Sequence, residues 1–450
     1  MIPAASMSLE ATNQSCDCGE PHEDLIQFLE NLVNELGFFK DRYILNYGIE
    51  NAANQSRDLD RQMDEKLEIF LKHQSAALEM NKPYYYYLKG KLLNISTTYS
   101  SEAESLLSKA IKLDPKIVDA WNELGESYFK ANEFAKAQSC FEGGLREKRN
   151  KVSLRNLATI LRRAQTETAD SLKKRIELIT CYSKEALKMD PQDGKSWLNW
   201  GTAQLYIFFG TTQSPYTIKQ CLSAYAQAEK DINCKTSVEL HYNKGIIFKY
   251  QELYKQALES LETAALYDPM WEDPKVQGAQ LLQYLQNIVE LIRTKGKLKP
   301  KKLLQILKTI NSKYLGPYSA AGQCGETTTA LHNVPYNELQ PGSNVGKVIL
   351  GTVICSVVTE SGVPFTFCSI DKSETIIVTT LYNLAAGKGV IIGDRVAIPQ
   401  PLVTDIDFHY KDNHFKFRTV RVQNPMQMIV NGKQVDDKVV SNASLCVLDH

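Results

Sequence analysis

From about residue 85 to residue 290 the apolar positions fall three and four apart, the period of amphipathic helices, and each run stops at a turn signal. Three of the stops are Asp-Pro pairs: Asp114-Pro115, Asp190-Pro191 and Asp268-Pro269. Their prolines lie 76 and 78 residues apart, roughly two helix–turn–helix units with an insertion. Residues 25–80 read as two or more further helices, and Trp271 with helices near 275–293 and 300–313 reads as a cap that closes the stack. After Gly316-Pro317 the period changes. Residues 316–342 are rich in turn formers and predict a linker, and 348–358, 363–370, 375–382, 396–398 and 415–422 are β-branched and aromatic runs that predict strands.

The helical part repeats a signature. Trp121-x-x-Leu124-Gly125-x-x-Tyr128 is followed by Ala137-x-x-x-Phe141, and a second copy runs through Gly245, Phe248, Ala257, Leu261, Ala264 and Pro269. Tyr87–Gly90 with Ala103, Leu107, Ala110 and Pro115 makes another. Two more copies, one starting at Leu154-x-x-Leu157-Ala158 and one at Trp197-x-x-Trp200-Gly201, carry insertions in the turn between their helices. This spacing resembles the tetratricopeptide (TPR) repeat family. Small residues (Gly125, Ala158, Gly201, Gly245) let paired helices approach closely, and large ones (Trp121, Phe141, Tyr225) fill the space between neighbours. No single pair buries its apolar face alone, so several must stack into a superhelix with a concave surface. The expected fold is therefore multidomain, an all-α TPR superhelix followed by an all-β OB-fold-like barrel. Residues 1–24 are expected to be disordered, 25–315 to form the superhelix with its cap, 316–342 the linker and 343–450 the OB domain. Five short strands over about 100 residues suit such a barrel, and Val390-Ile-Ile-Gly-Asp-Arg-Val-Ala-Ile398 resembles its strand entry.

Composition removes several classes. The 450 residues carry 52 Lys+Arg and 52 Asp+Glu, which argues against gripping nucleic acid by bulk charge. The opening MIPAASMSLEATNQSC has neither a basic nor an apolar stretch, so no secretory signal is expected, and no apolar run is long enough for a membrane span. Most of the ten cysteines sit among apolar neighbours, as reduced thiols do in the cytoplasm or nucleus. Cys16-x-Cys18 with His22 lacks a second ligand pair, so no metal or cofactor is expected. No GxxxxGK[ST], GxSxG or HExxH is present, and Asp405 and Asp407, alternating on a strand, lack an evident partner for acid–base work. His409 and His414 flank a polar hairpin, Lys411-Asp-Asn413, and are expected to face water. An enzyme is not expected.

Lys151-Val-Ser-Leu154, Leu222-Ser-Ala-Tyr-Ala-Gln-Ala-Glu-Lys230 and Val390–Ile398 with Val430-Asn-Gly-Lys433, set in a divergent TPR array followed by an OB-like domain, resemble the tetratricopeptide repeat protein 5 family over nearly the whole chain. The resemblance implies a non-enzymatic adaptor in cytoplasm and nucleus. One implied role is binding the N-terminus of nascent tubulin on the ribosome and recruiting an mRNA-decay effector. The other is scaffolding a histone acetyltransferase coactivator and its adaptor in stress- and DNA-damage-responsive transcription.

The first helix of each pair is expected to line the concave face. Two positions before the small residue stand Glu123, Asn156, Asn199 and Asn243. Three successive asparagines would form a ladder of amides, each with an acceptor and two donors, matched to an extended peptide backbone. Glu239 lies one turn before Asn243, and Arg155, Thr159 and Arg162 form an i, i+4, i+7 stripe beside Asn156. In a peptide led by Met-Arg-Glu, as nascent tubulin is, Glu239 would take the Arg, and Arg162 with Arg155 the Glu. The plainer alternative is a solvated helix face. A clamp for a C-terminal carboxylate is disfavoured, because Glu123 and Glu239 would repel it.

A second candidate is basic. Arg293, Lys295, Lys297, Lys299, Lys301, Lys302, Lys308 and Lys313 follow one another without an acid between Glu290 and Glu326. They form a stripe suited to ribosomal RNA, a nuclear-import signal around Lys297–Lys302, or a solvated face of the capping helix. From Ser343 to His450 there are ten Lys+Arg and ten Asp+Glu, so the OB domain has no electrostatic funnel and is expected to dock proteins rather than nucleic acid. Phe365, Phe367, Tyr382, Phe415 and Phe417 alternate as strand residues bound for a core.

Overall fold

The computed structural model describes residues 22–164, 168–319, 331–357, 364–385, 387–436 and 439–440. The segment expected to be disordered, with Cys16 and Cys18, falls outside them up to residue 21, as do 320–330 of the expected linker. None of the described helices is long and apolar enough to cross a membrane. The chain forms two compact units: one of Met1–Asn46 and Asn54–Ser153, the other of Tyr47–Ala53 and Leu154–His450.

The first unit contains α1 (His22–Asp41), most of the short α2 (Tyr43–Tyr47), α3 (Gln55–Lys72), α4 (Gln74–Asn94), α5 (Ser101–Leu113), α6 (Val118–Lys130), α7 (Phe134–Glu147) and the first residues of α8 (Lys151–Arg163). Leu29, Leu36, Phe70, Tyr85, Leu88, Leu107 and Leu124 form its core. Helix α4 breaks at Asn81, whose backbone is non-helical and whose Oδ1 accepts from Tyr84 N at 3.1 Å. Pro83 cannot donate to the preceding turn, so a new helix starts there, and it is the first helix of the repeat containing Gly90.

In the second unit, α8 is followed by α9 (Ala169–Met189), α10 (Gly194–Ile207), α11 (Pro215–Ala228), the single turn α12 (Ile232–Lys235), α13 (Val238–Tyr250), α14 (Tyr254–Tyr267), α15 (Glu272–Arg293) and α16 (Pro300–Thr309). The Asp-Pro stops have one cause. Each Asp is extended, as the residue before proline prefers, and its Oδ1 accepts from the backbone N–H two residues on: Lys116 at 3.0 Å, Gln192 at 3.1 Å and Met270 at 3.0 Å. The small residues are needed as expected. A Cβ on Gly125 would stand 2.5 Å from the Phe141 ring, and one on Gly201 2.4 Å from the Tyr225 ring.

Among the described residues ten strands follow: β1 (His332–Asn333), β2 (Gly342–Ser343), β3 (Lys347–Val357), β4 (Phe365–Ile370), β5 (Ile376–Leu381), β6 (Arg395–Pro399), β7 (Leu402–Tyr410), β8 (Asn413–Val422), β9 (Ile429–Val430) and β10 (Lys433–Gln434). Along the sheet the order is β10-β9-β6-β3-β4-β5-β8-β7-β2, with β5 and β8 parallel. Strand β6 pairs with β3 and β7 with β8, yet only Gln400, in the left-handed region, and Pro401 separate β6 from β7. They are two halves of one bent strand, and the bend closes the sheet into a barrel of the OB type. Ile349, Val353, Phe367, Ile377, Val396, Val403 and Val420 fill the inside.

The barrel's other face is covered by its own chain. Cys355, Cys368, Val378, Tyr382, Phe415 and Phe417 share a core with Tyr250, Leu261, Leu281, Tyr284 and Ile288 of α13–α15. Phe367, Tyr382, Phe415 and Phe417 are all buried, so none offers a ring for base stacking. At the centre of the seam Glu252, buried and left-handed in the α13–α14 turn, accepts from Tyr382 Oη at 3.1 Å and Arg421 Nη1 at 3.3 Å. The Arg421 guanidinium lies 3.7 Å from the Tyr382 ring centre and donates to Tyr250 O at 2.7 Å. The compact units therefore do not part at the expected linker. Just before it Leu315 packs with Val348, Leu350 and Ile429, and within it Tyr336 is buried with its N–H on Asp371 at 2.7 Å.

Candidate functional site

The expected ladder does not stand open in the structure. Asn199 on α10 is buried, donates through Nδ2 to Arg155 O and Thr159 Oγ1, both at 3.1 Å, and accepts from Ser183 Oγ at 2.8 Å. Asn243 on α13 is fully buried, and its Nδ2 donates to Thr202 Oγ1 at 3.4 Å. These two amides tie one repeat to the next inside the fold, and Asn243 Oδ1 is buried there with no hydrogen-bond partner among the described residues. Asn156 on α8 is half-buried. Arg155, expected beside the peptide's acid, is committed within the fold: its Nη1 pairs with Asp193 Oδ2 and lies 3.4 Å from Ser196 Oγ. Asp193 is the N-cap of α10, accepting from Ser196 N at 3.0 Å, so Arg155 anchors α8 to that helix start.

Two threonines organise the rest: Thr159, already part of the expected stripe, and Thr202, which sequence reasoning passed over. Thr159 follows Ala158 and Thr202 follows Gly201, so they hold the same position in successive repeats. Each takes the Nδ2 of the next repeat's asparagine, and each holds one charged side chain. Arg162 Nη2 donates to Thr159 Oγ1 at 3.0 Å, and Thr202 Oγ1 donates to Glu239 Oε1 at 2.8 Å. Tyr225, the ring that requires Gly201 to be small, brings its Oη within 3.3 Å of Thr202 Oγ1. Burial pushes the Tyr225 phenol well above its ordinary range, so it remains a proton donor. The sequence signal was available: Thr one after the small residue in two repeats with Asn two before it in the following one.

Arg162 is buried and Glu239 half-buried, so both charges lie where water screens them less than on an open surface. In the first unit, half-buried Glu123 accepts from Asn94 Nδ2 at 2.9 Å. Burial, with Glu126 beside it, pushes its carboxyl up to about 7. Lys130 donates to Asn94 O, to Asn94 Oδ1 at 3.1 Å and to Ser96 O at 2.8 Å, satisfying carbonyls at the end of α4, and burial brings it down to about 8.

The basic stripe is shorter than expected. Lys295 pairs with Glu374 at 3.0 Å and Arg293 with Glu290 at 2.8 Å, while Lys297, Lys299, Lys301 and Lys302 are exposed around the start of α16. Asp405 and Asp407 have partners after all: Arg418 Nε at 2.7 Å for the first, His414 Nε2 at 2.7 Å and Lys416 Nζ at 3.0 Å for the second. His409 and His414 stack on each other with ring centres 4.0 Å apart.

Comparison with known proteins places this architecture. Residues 330–444 match the model of the tetratricopeptide repeat protein 5 OB fold domain, and residues 106–139 match a tetratricopeptide repeat model. Among solved structures, YrrB, described as a TPR protein with an unusual peptide-binding site, is 22% identical over 45% of this chain and 93% of its own, with a TM-score of 0.28. Tetratricopeptide repeat protein 5 of Mus musculus is 39% identical over 95% of this chain and 97% of its own length, and that of Homo sapiens 39% over 92% and 94%. On that extent of identity, covering both the helical repeats and the barrel, the chain belongs to the tetratricopeptide repeat protein 5 family.

Proposed function

We propose that this protein is a non-enzymatic adaptor that captures a short peptide led by a basic and then an acidic side chain, and that its ligand is the Met-Arg-Glu N-terminus of nascent tubulin at the ribosome, leading to decay of tubulin mRNA. The observation that carries this reading is the pair of equivalent threonines in successive repeats, one holding a cation, Arg162, and the other an anion, Glu239. Glu239 receives the peptide's Arg and Arg162 its Glu, each in a setting that strengthens a charge-assisted hydrogen bond. The buried asparagines act one step back, holding the threonines, rather than on the peptide. Exposed Lys297, Lys299, Lys301 and Lys302 suit a phosphate-rich surface such as ribosomal RNA, so ribosome association should weaken steeply with added salt.

The test is a titration of fluorescent Met-Arg-Glu-led peptide into the wild type, Arg162→Ala and Glu239→Ala. Loss of about 2 kcal/mol or more in each variant, roughly thirtyfold in Kd, is expected for truncated central contacts. Wild-type affinity in both variants would remove this peptide from the site. The coactivator-scaffold role would draw on the same capture of a partner segment. Co-sedimentation with translating ribosomes against co-purification with chromatin separates the two settings.

A further inference from the structure

We propose that Thr159 and Thr202 are positioning residues that fix which sign of charge each repeat offers to the peptide; this rests on the peptide-capture reading above. A threonine hydroxyl has one hydrogen to give and two lone pairs to receive. At Thr159 the hydrogen goes to Arg155 O at 3.1 Å. Its lone pairs then face donors only, Asn199 Nδ2 at 3.1 Å and Arg162 Nη2 at 3.0 Å. The group is fully used, and the position suits a cation. At Thr202 the hydrogen goes to the Glu239 carboxylate at 2.8 Å. The lone pairs receive Asn243 Nδ2 at 3.4 Å and the Tyr225 hydroxyl at 3.3 Å. This group is used fully as well, but with its hydrogen directed the other way, and the position suits an anion.

One repeat position thus serves opposite charges because of where its single proton is committed. At Thr159 a carbonyl of its own helix absorbs the proton. At Thr202 the proton reaches the next repeat's first turn, and the buried Tyr225 hydroxyl supplies the second donor. The remaining asparagine is common to both, which explains why Asn199 and Asn243 are buried rather than presented to a ligand. A threonine also suits the position sterically, since its branched side chain has few rotamers and keeps the oxygen aimed.

The test is a discrimination measurement with three peptides, led by Met-Arg-Glu, Met-Ala-Glu and Met-Arg-Gln, against wild type, Thr202→Val, Thr202→Ser and Thr159→Val. In wild type the Arg-to-Ala and Glu-to-Gln changes should each weaken binding about tenfold or more. Thr202→Val should shrink the Arg-to-Ala ratio by about fivefold while leaving the Glu-to-Gln ratio intact; Thr202→Ser should restore it. In a Glu239→Gln background Thr202→Val should have no further effect on that ratio. Thr159→Val should do the converse, and it carries the test if Thr202→Val does not fold. A uniform loss for all three peptides, or ratios unchanged in the valine variants, would overturn the positioning role. Wild type that binds the peptides equally would instead overturn the capture reading itself.

Discussion

Glu123 and Lys130 show what a partly desolvated charge does to a single residue. Burial raises the Glu123 carboxyl to about 7 and lowers the Lys130 ammonium to about 8. A carboxyl whose folded value lies above its unfolded one stabilises the fold fully only at pH below the unfolded value, and that contribution is lost as pH rises through about 7. A lysine with a lowered value has the opposite sign: its charging cost is greatest below about 8 and fades above it. Glu123→Gln removes the ionised form altogether. The gain in Tm from this substitution should therefore be larger at pH 8 than at pH 5, by roughly 3 °C after allowance for partial exposure. Equal gains at the two pH values in differential scanning fluorimetry would show that Glu123 is not held near neutrality.

At the scale of the helix pair, packing and polar chemistry meet in Gly201. The Tyr225 ring fills the space a side chain would need, and its hydroxyl is delivered to Thr202 by that same contact. Gly201→Ala puts a Cβ 2.4 Å from the ring, so the ring must move and the α10–α11 pair must open slightly. A cost of about 1–3 kcal/mol in urea unfolding is expected, together with weaker binding of the Arg-containing peptide as Tyr225 leaves Thr202. Stability and affinity equal to wild type would mean the ring has free room to tilt. The repeat pattern announced this contact, because a small residue facing a large one at fixed spacing has few other uses. It did not announce the polar clasps. An asparagine two before the small residue reads the same whether it faces a groove or the neighbouring helix, and only the partner on that neighbour decides.

At the scale of the molecule, helices α13–α15 and the barrel fold as one body around a buried ion pair. Glu252 and Arg421 are 169 residues apart and both largely desolvated. Arg421→Met would leave the Glu252 carboxylate buried without its cation, at a cost of about 3–5 kcal/mol. Adding Glu252→Gln should recover much of that loss, since the uncompensated charge then disappears. Hydrogen exchange should reveal faster opening of α13 and β8 together in the single variant; acceleration confined to β8 would refute a shared core. The tight hinge at Gln400-Pro401 belongs to this scale too, because it lets one strand pair with β3 through its first half and with β8 through its second.

Local spacing was enough to reveal the repeats, their helix stops and five of the barrel's strands (β3, β4, β5, β6 and β8), though not β7 as a full strand or the short β1, β2, β9 and β10, because what it reveals depends on residues within a few positions of one another: an Asp before a Pro, a Gly opposite a Phe, an alternating run of β-branched side chains. Glu239 and Arg162 stood out for the same reason, as charges one turn from a repeat's marker residue. Burial of Asn199 and Asn243, diversion of Arg155 to Asp193 and the covering of one barrel face by α13–α15 depend instead on partners some 40 to 170 residues away. A side chain's capacity to donate or accept is written in its identity, but the group that uses up that capacity is chosen only when distant segments are brought into contact.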